Sequence, residues 1–212
     1  MTPLTNRKKG QRKTRTPCVG CGLHENLCIC SFIPSLELKT KISLIVHAKE
    51  LKRTTNTGRL AIKALVNSEM RIRGETDSRT PLDLSDLLNP SYQSFLFYPS
   101  EDAVELTSEL VSTSILPIQL IVPDGNWRQA SKVHTRHREL GNLPRVKLSQ
   151  ANPMKLHMRA ETTLEGMATL QAIAYAIGIC EREGGKEAQD RLLELYYLKL
   201  ERTLQGRGVL PR

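Results

Sequence analysis

An α/β fold with a parallel sheet and crossover helices is predicted by three observations. Apolar runs of strand length recur at residues 41–47 (KISLIVH), 94–99 (SFLFYP) and 118–122 (IQLIV). Each run is followed by a polar loop and then by a segment with helical spacing, an order that joins parallel strands through helices. The chain has 212 residues, 39% hydrophobic and 25% charged, which suffices for one core, or one core with a small appendage.

The first residues, MTPLTNRKKGQRKTR, are basic and lack the apolar segment of a secretory signal, and no apolar run approaches the ~20 residues of a bilayer crossing. A cytoplasmic protein without membrane contact is expected. Of the formal charge of +9, six positive charges (Arg7, Lys8, Lys9, Arg12, Lys13, Arg15) precede Cys18 with no acid among them. Such a block cannot bury itself, so residues 1–17 are expected to be a disordered tail, serving either as an electrostatic arm for RNA or as a solubilising extension.

Four of the five cysteines follow at once, as Cys18-x2-Cys21-x6-Cys28-x-Cys30. Four thiolates within thirteen residues are the donor set of a tetrahedral Zn²⁺, and with every position filled by protein the ion is structural. An iron–sulfur centre and a ligand role for His24 are the lesser alternatives. Residues 18–40 are read as a zinc knuckle with no room for a helix, and 41–212 as the α/β domain.

Beyond the strand at 41–47, AKELKRTTNTGRL is a polar loop entering a helix that Asn56 or Thr57 can cap. Residues 71–89 are polar and turn-rich and are expected to cross the surface. A helix is predicted over 103–111, a basic helix over about 127–138, and a short strand over 145–148. Leu170, Ile173, Ala174 and Ile177 then mark a helix, and a last amphipathic helix runs near 188–204. Because open α/β sheets bind ligands at the carboxyl ends of their strands, functional groups are expected just after His47, Pro99 and Val122.

Three clusters meet that expectation. His47-Ala48-Lys49-Glu50 ends the first strand, although a histidine there is often a hydrogen-bonded structural group. Arg53, Asn56 and Arg59 surround a turn suited to an anion, or equally a solvated loop. Asp124-Gly125-Asn126-Trp127 sets a carboxylate and the single Trp before the bases Arg128, Lys132, Arg136 and Arg138, where phosphate contacts could position an RNA strand. Neither a P-loop nor G-x-G-x-x-G is present, and Cys180 reads as a small buried hydrophobe.

Taken in order, these motifs resemble the DTW-domain family, the tRNA-uridine aminocarboxypropyltransferases, which are similar to SPOUT-type RNA-modifying enzymes. The resemblance runs from about residue 18 to 179. It is carried by the cysteine knuckle, His47-x2-Glu50 with Thr55-Asn56-Thr57-Gly58-Arg59-Leu60, Phe97-Tyr98-Pro99-Ser100, Asp124-Gly125-Asn126-Trp127-x2-Ala130, Arg159, and Thr169-Leu170-Gln171-Ala172. Two positions depart from the family pattern: Asn126 stands where D-x-T-W has threonine, and Gln171 where relatives have glutamate.

The resemblance implies transfer of the 3-amino-3-carboxypropyl group of S-adenosylmethionine to N3 of a tRNA uridine, with release of methylthioadenosine. It implies Asp124 as the base that takes the N3 proton, and Trp127 as a stacking or cation–π partner. By analogy with SPOUT folds, the donor would be held by Leu164, Gly166, Met167 and Thr169 in a loop of a C-terminal knot. Arg53, Asn56, Arg59, Arg128, Lys132 and Arg136 would contact RNA. The rival expectations are a methyltransferase using the same donor and a non-catalytic zinc-containing RNA-binding protein.

Overall fold

The structure is a computed structural model and describes residues 17–74, 82–125, 127–149, 158 and 166–210. The first apolar run forms β1 (Lys41–His47), in which Ile42, Leu44, Ile45 and Val46 are fully buried. It pairs in parallel with β2 (Ser68–Arg73) on one side and β5 (Ile118–Asp124) on the other. With β3 (Gln93–Phe97), β4 (Val104–Glu105) and β6 (Arg145–Lys147) the described residues make a six-stranded parallel sheet in the order β2-β1-β5-β3-β6-β4.

Period-two alternation divides the strand side chains between two layers. Leu44, Val46, Leu120 and Val122 face α2 (Gly58–Ala64), α6 (Thr169–Cys180) and α7 (Gly185–Gly206), joining Leu60, Ile173 and Tyr196 in the main core. Ile45, Leu96 and Ile121 face the opposite layer, where Ala130 of α4 (Trp127–Ala130) and Val133 of α5 (Lys132–Arg136) meet Leu84, Leu87 and Leu140. Both faces are covered, so the central strands read as unbroken apolar runs.

From β1 the chain passes through α1 (Ala48–Leu51) and α2 to β2 at one edge of the sheet, whereas from β5 it passes through α4 and α5 on the other face to β6. Two neighbouring strands thus send their connections in opposite directions. That divergence makes the carboxyl ends of β1 and β5 the switch point of the sheet, the place where such sheets hold ligands.

Several local expectations are revised. Residues 68–73 (SEMRIR) form a strand although their composition is polar, because β2 pairs with β1 at the sheet edge and its residues are mostly half-buried. The helix predicted over 103–111 is instead β4 followed by α3 (Ser108–Ser112), with the Thr107 side chain accepting the Leu110 N–H at 3.2 Å. The basic helix breaks between α4 and α5 and ends at His137, whose φ of −108° and ψ of 86° leave the helical region. The last helix begins at Gly185, after Gly184 at φ 72°. The knuckle contains no α-helix but two 3-10 turns, Glu25–Leu27 and Cys30–Phe32, and its Cys21, Leu23 and Ile29 join the main core. The basic tail up to residue 16, and residues 164–165 of the loop expected to be knotted, lie outside the described residues. No helix among the described residues is long and apolar enough to cross a membrane.

Candidate functional site

At this switch point stands Asp124, the last residue of β5, in register with Val46. Its carboxylate points toward the α2/α6 layer and is only 7% exposed. Asn56 Nδ2 donates to Oδ2 at 2.7 Å and Thr169 Oγ1 donates to Oδ1 at 2.6 Å. Both donors are neutral, so this pair fixes the carboxylate without cancelling its charge. The bonds use two of roughly four acceptor sites on the group.

Three segments far apart in sequence build this arrangement. Asn56 sits in the turn before α2, and its Oδ1 accepts the Arg59 N–H at 3.1 Å, which caps the helix start. Thr57 Oγ1 accepts the Leu170 N–H at 3.2 Å, tying the α2 turn to the start of α6. Gly58 makes the close approach possible: a Cβ there would lie 2.9 Å from both Asp124 Oδ2 and Leu44 Cδ2. Asn56 and Thr57 are themselves buried. Asn56, expected at RNA, is thus a positioning partner of Asp124, and Thr169, expected at the donor, bonds the same carboxylate.

The other expected residues are distributed around this centre. Gly166 and Met167 lie just before α6, with Gly166 buried. Arg53 is half-exposed and pairs with the buried Glu50 at 3.1 Å. The Arg59 guanidinium donates to the Leu51 carbonyl and lies against the knuckle beside Gly22. Lys132 and Arg136 are exposed on α5, across the sheet from Asp124. Leu164, Arg159 and Asn126, with the side chains of Trp127 and Arg128, lie outside the described residues. Burial pushes the Cys180 thiol up to about 12, in keeping with a buried hydrophobe.

The knuckle is a second centre. The Sγ atoms of Cys18, Cys21, Cys28 and Cys30 all lie within 4.8 Å of one another, with Cys18–Cys30 and Cys18–Cys28 at 3.5 Å and Cys21–Cys28 at 3.8 Å. Tetrahedral Zn–S bonds of about 2.3 Å put sulfurs about 3.8 Å apart, so the four residues fit such an ion. Gly20 is required beside them, because a Cβ would come within 2.5 Å of Cys30 Sγ. His24 turns away from a ligand role: its Nδ1 accepts the Asn26 N–H at 3.3 Å. A hydrogen bond from the Cys21 backbone pulls the Cys18 thiol down to about 6, whereas burial and neighbouring sulfurs push Cys30 up to about 12. A dication at the centre would relieve that mutual repulsion.

Lys199 of α7 anchors the knuckle from behind. It is fully buried and donates to the Cys21 carbonyl. Burial lowers its ammonium to about 8, while the nearby thiols pull the other way. Lys199 was legible in principle, since it follows Leu195 and Tyr196 on the apolar face of a helix. Arg73, at the end of β2, falls in the stretch 71–89 whose polar composition predicts a surface crossing. Thr57 was legible as a cap but not as the link to α6.

Comparison with known proteins gives a consistent picture. The family model described as "DTW domain" matches residues 15–204. A protein of Macaca fascicularis named tRNA-uridine aminocarboxypropyltransferase 2 is 25% identical over 175 residues, covering 80% of this chain and 58% of the relative. Proteins of the same name from Mus musculus and Drosophila melanogaster are 24% and 28% identical, with 79% of this chain covered in each case and 57% and 67% of the relatives. The chain therefore spans little more than half the length of the two mammalian relatives. No solved structure matches the chain significantly.

Proposed function

Because the chain belongs to the DTW-domain family, we propose that it is a tRNA-uridine aminocarboxypropyltransferase, moving the 3-amino-3-carboxypropyl group of S-adenosylmethionine to N3 of a tRNA uridine with release of methylthioadenosine. The names of its relatives support the activity. The observation that carries the chemistry is the meeting of Asp124, Asn56 and Thr169, drawn from three of the family's motifs, at the switch point of the sheet.

A sulfonium donor suits this site, because its positive charge would be drawn to a carboxylate that the neutral donors Asn56 and Thr169 hold in place. When bound, the donor supplies an alkyl carbon activated by positive sulfur, with a neutral thioether as leaving group. Gly166, Met167 and Thr169, with Leu164, would hold it so that the aminoalkyl carbon rather than the methyl faces the nucleophile, which is a matter of orientation. In a SPOUT-like arrangement that loop belongs to the knot.

Asp124 is the base that takes the N3 proton of the uridine, a transfer that requires N3 within about 3 Å of a carboxylate oxygen. Asn56 and Thr169 keep the carboxylate from swinging away. Trp127 stacks against a base or faces the sulfonium, and Arg53, Arg59, Arg128, Lys132 and Arg136 meet the RNA. The target is an unpaired uridine, since N3 is engaged in a base pair. Cys18, Cys21, Cys28 and Cys30 hold a structural zinc that fastens the knuckle to the core.

Mass spectrometry of nucleosides from tRNA incubated with the protein and S-adenosylmethionine tests this function. Aminocarboxypropyl-uridine with methylthioadenosine is the expected product pair. A methylated nucleoside with adenosylhomocysteine would establish methyl transfer instead, and RNA binding with no modified nucleoside would establish a binding protein.

A further inference from the structure

A buried charge is costly unless a charge of opposite sign offsets it, and Lys199 of α7 raises the question of what that charge is. The residue is fully buried, and its ammonium donates to the backbone carbonyl of Cys21, one of the four clustered cysteines. None of the ion pairs among the described residues includes it. The charged groups acting on it are the thiols of Cys21, Cys18 and Cys30 and, in opposition, the Arg59 guanidinium, with no carboxylate among them.

Two more cations reach the knuckle from α2. Arg59 and Lys63 are four residues apart, which puts them on one face of that helix. A Cβ on Gly22 would lie 3.5 Å from Arg59 Nη1, so the part-buried guanidinium stands against the residue that follows Cys21. A Cβ on Gly20 would lie 3.7 Å from Cys18 Sγ and 3.8 Å from Lys63 Cε, so the stem of the exposed Lys63 runs close to the same sulfurs. Neutral thiols would give these cations nothing to offset them. Four thiolates around a dication leave two negative charges in excess, and the Lys199 ammonium and the Arg59 guanidinium match that excess.

We propose that Lys199 is the counter-charge of the occupied knuckle, with Arg59 and Lys63 adding to it from α2, so that the dication is bound as a tetrathiolate whose excess charge is offset from two helices. It rests on the zinc reading above. Lys199 acts on the metal through its field and through the Cys21 carbonyl, as the outer groups of metal sites do. Zinc uptake and the docking of the knuckle on α7 then become one event, since each side supplies the charge that the other lacks.

The experiment measures zinc affinity of the full chain by competition with a chromophoric chelator, for the wild type, Lys199→Met and Lys199→Gln. Methionine removes both the charge and the hydrogen bond; glutamine removes the charge and keeps an N–H that can donate toward the Cys21 carbonyl. Both variants should bind zinc about 10–100-fold more weakly. Cobalt in place of zinc should still give the wild-type visible bands of a tetrahedral thiolate site, because the four ligands are unchanged. The stabilisation that zinc adds in thermal melts should shrink with the affinity. Wild-type zinc affinity in Lys199→Gln overturns the proposal, since the hydrogen bond rather than the charge would then matter. A melting temperature lowered equally with and without zinc, at unchanged affinity, also overturns it, as the mark of a packing role alone. If neither variant folds, Lys63→Glu at its exposed position serves: it should weaken zinc binding several-fold, and less so at high salt, and unchanged affinity would overturn the assignment. Failure of the zinc reading appears separately, as wild-type protein that takes up neither zinc nor cobalt.

Discussion

Asp124 shows how little separates a functional carboxylate from a structural one. Its side chain is nearly enclosed, and Asn56 and Thr169 both donate hydrogen bonds to its carboxylate. Asp124→Asn keeps the shape but turns an acceptor into an amide N–H that meets a donor, and it removes the proposed base. Transfer should fall by about 10²–10⁴-fold while tRNA affinity is kept, as measured by product formation and filter binding. Thr169→Val leaves one carboxylate oxygen without its donor and should cost about 1–3 kcal/mol in denaturant unfolding, with a smaller loss of activity. His47 gives the pH prediction. Its folded-state pKa is depressed, so the unfolded chain binds the extra proton first, and stability is lost as pH falls through the ordinary histidine range. His47→Asn, which keeps a capping acceptor for Lys49, should flatten that slope in melts between pH 7 and 5.

Among the elements, the knuckle and α7 depend on each other. Lys199 reaches the Cys21 carbonyl across 178 residues of sequence, and Arg59 lies beside Gly22 on the α2 side. If the four cysteines hold the proposed zinc, its removal therefore loosens more than a short loop. A chelator should lower the melting temperature of the whole chain, and Gly20→Ala, whose methyl would strike Cys30 Sγ, should reproduce this without chelator. Loss of catalysis with an unmoved melting temperature would indicate a catalytic ion instead. The elements also show where a sequence is readable. Runs such as KISLIVH declare themselves because a doubly covered strand needs an apolar residue at nearly every position. β2 did not, because an edge strand with mostly half-buried residues tolerates Glu69, Arg71 and Arg73. Ala130 and Val133, on either side of the break between α4 and α5, share a buried cluster with Leu84 and Leu140, which no local spacing records.

For the whole molecule, charge and topology act together. Positive groups lie on both faces of the sheet and, in the sequence, at the chain's start, an arrangement suited to a large polyanion rather than a small one. Deleting residues 2–15 should reduce the salt dependence of tRNA binding by several charges and leave the melting temperature alone; an unchanged slope would show that those residues are no arm. Asp124 was legible as a functional candidate from its position after an apolar run, and the cysteines from their spacing. Asp124's dependence on Asn56 and Thr169 was not legible, since it arises only when β1 and β5 lie side by side.

That dependence has a temporal side. The bonds that orient Asp124 span 68 and 45 residues, and the clasp between Thr57 and Leu170 spans 113. During synthesis, a ribosome-bound chain that has emerged only as far as β5 has the acid but not the threonine that steers it. On the proposed function, transfer waits for α6, because the threonine that holds the carboxylate arrives with it.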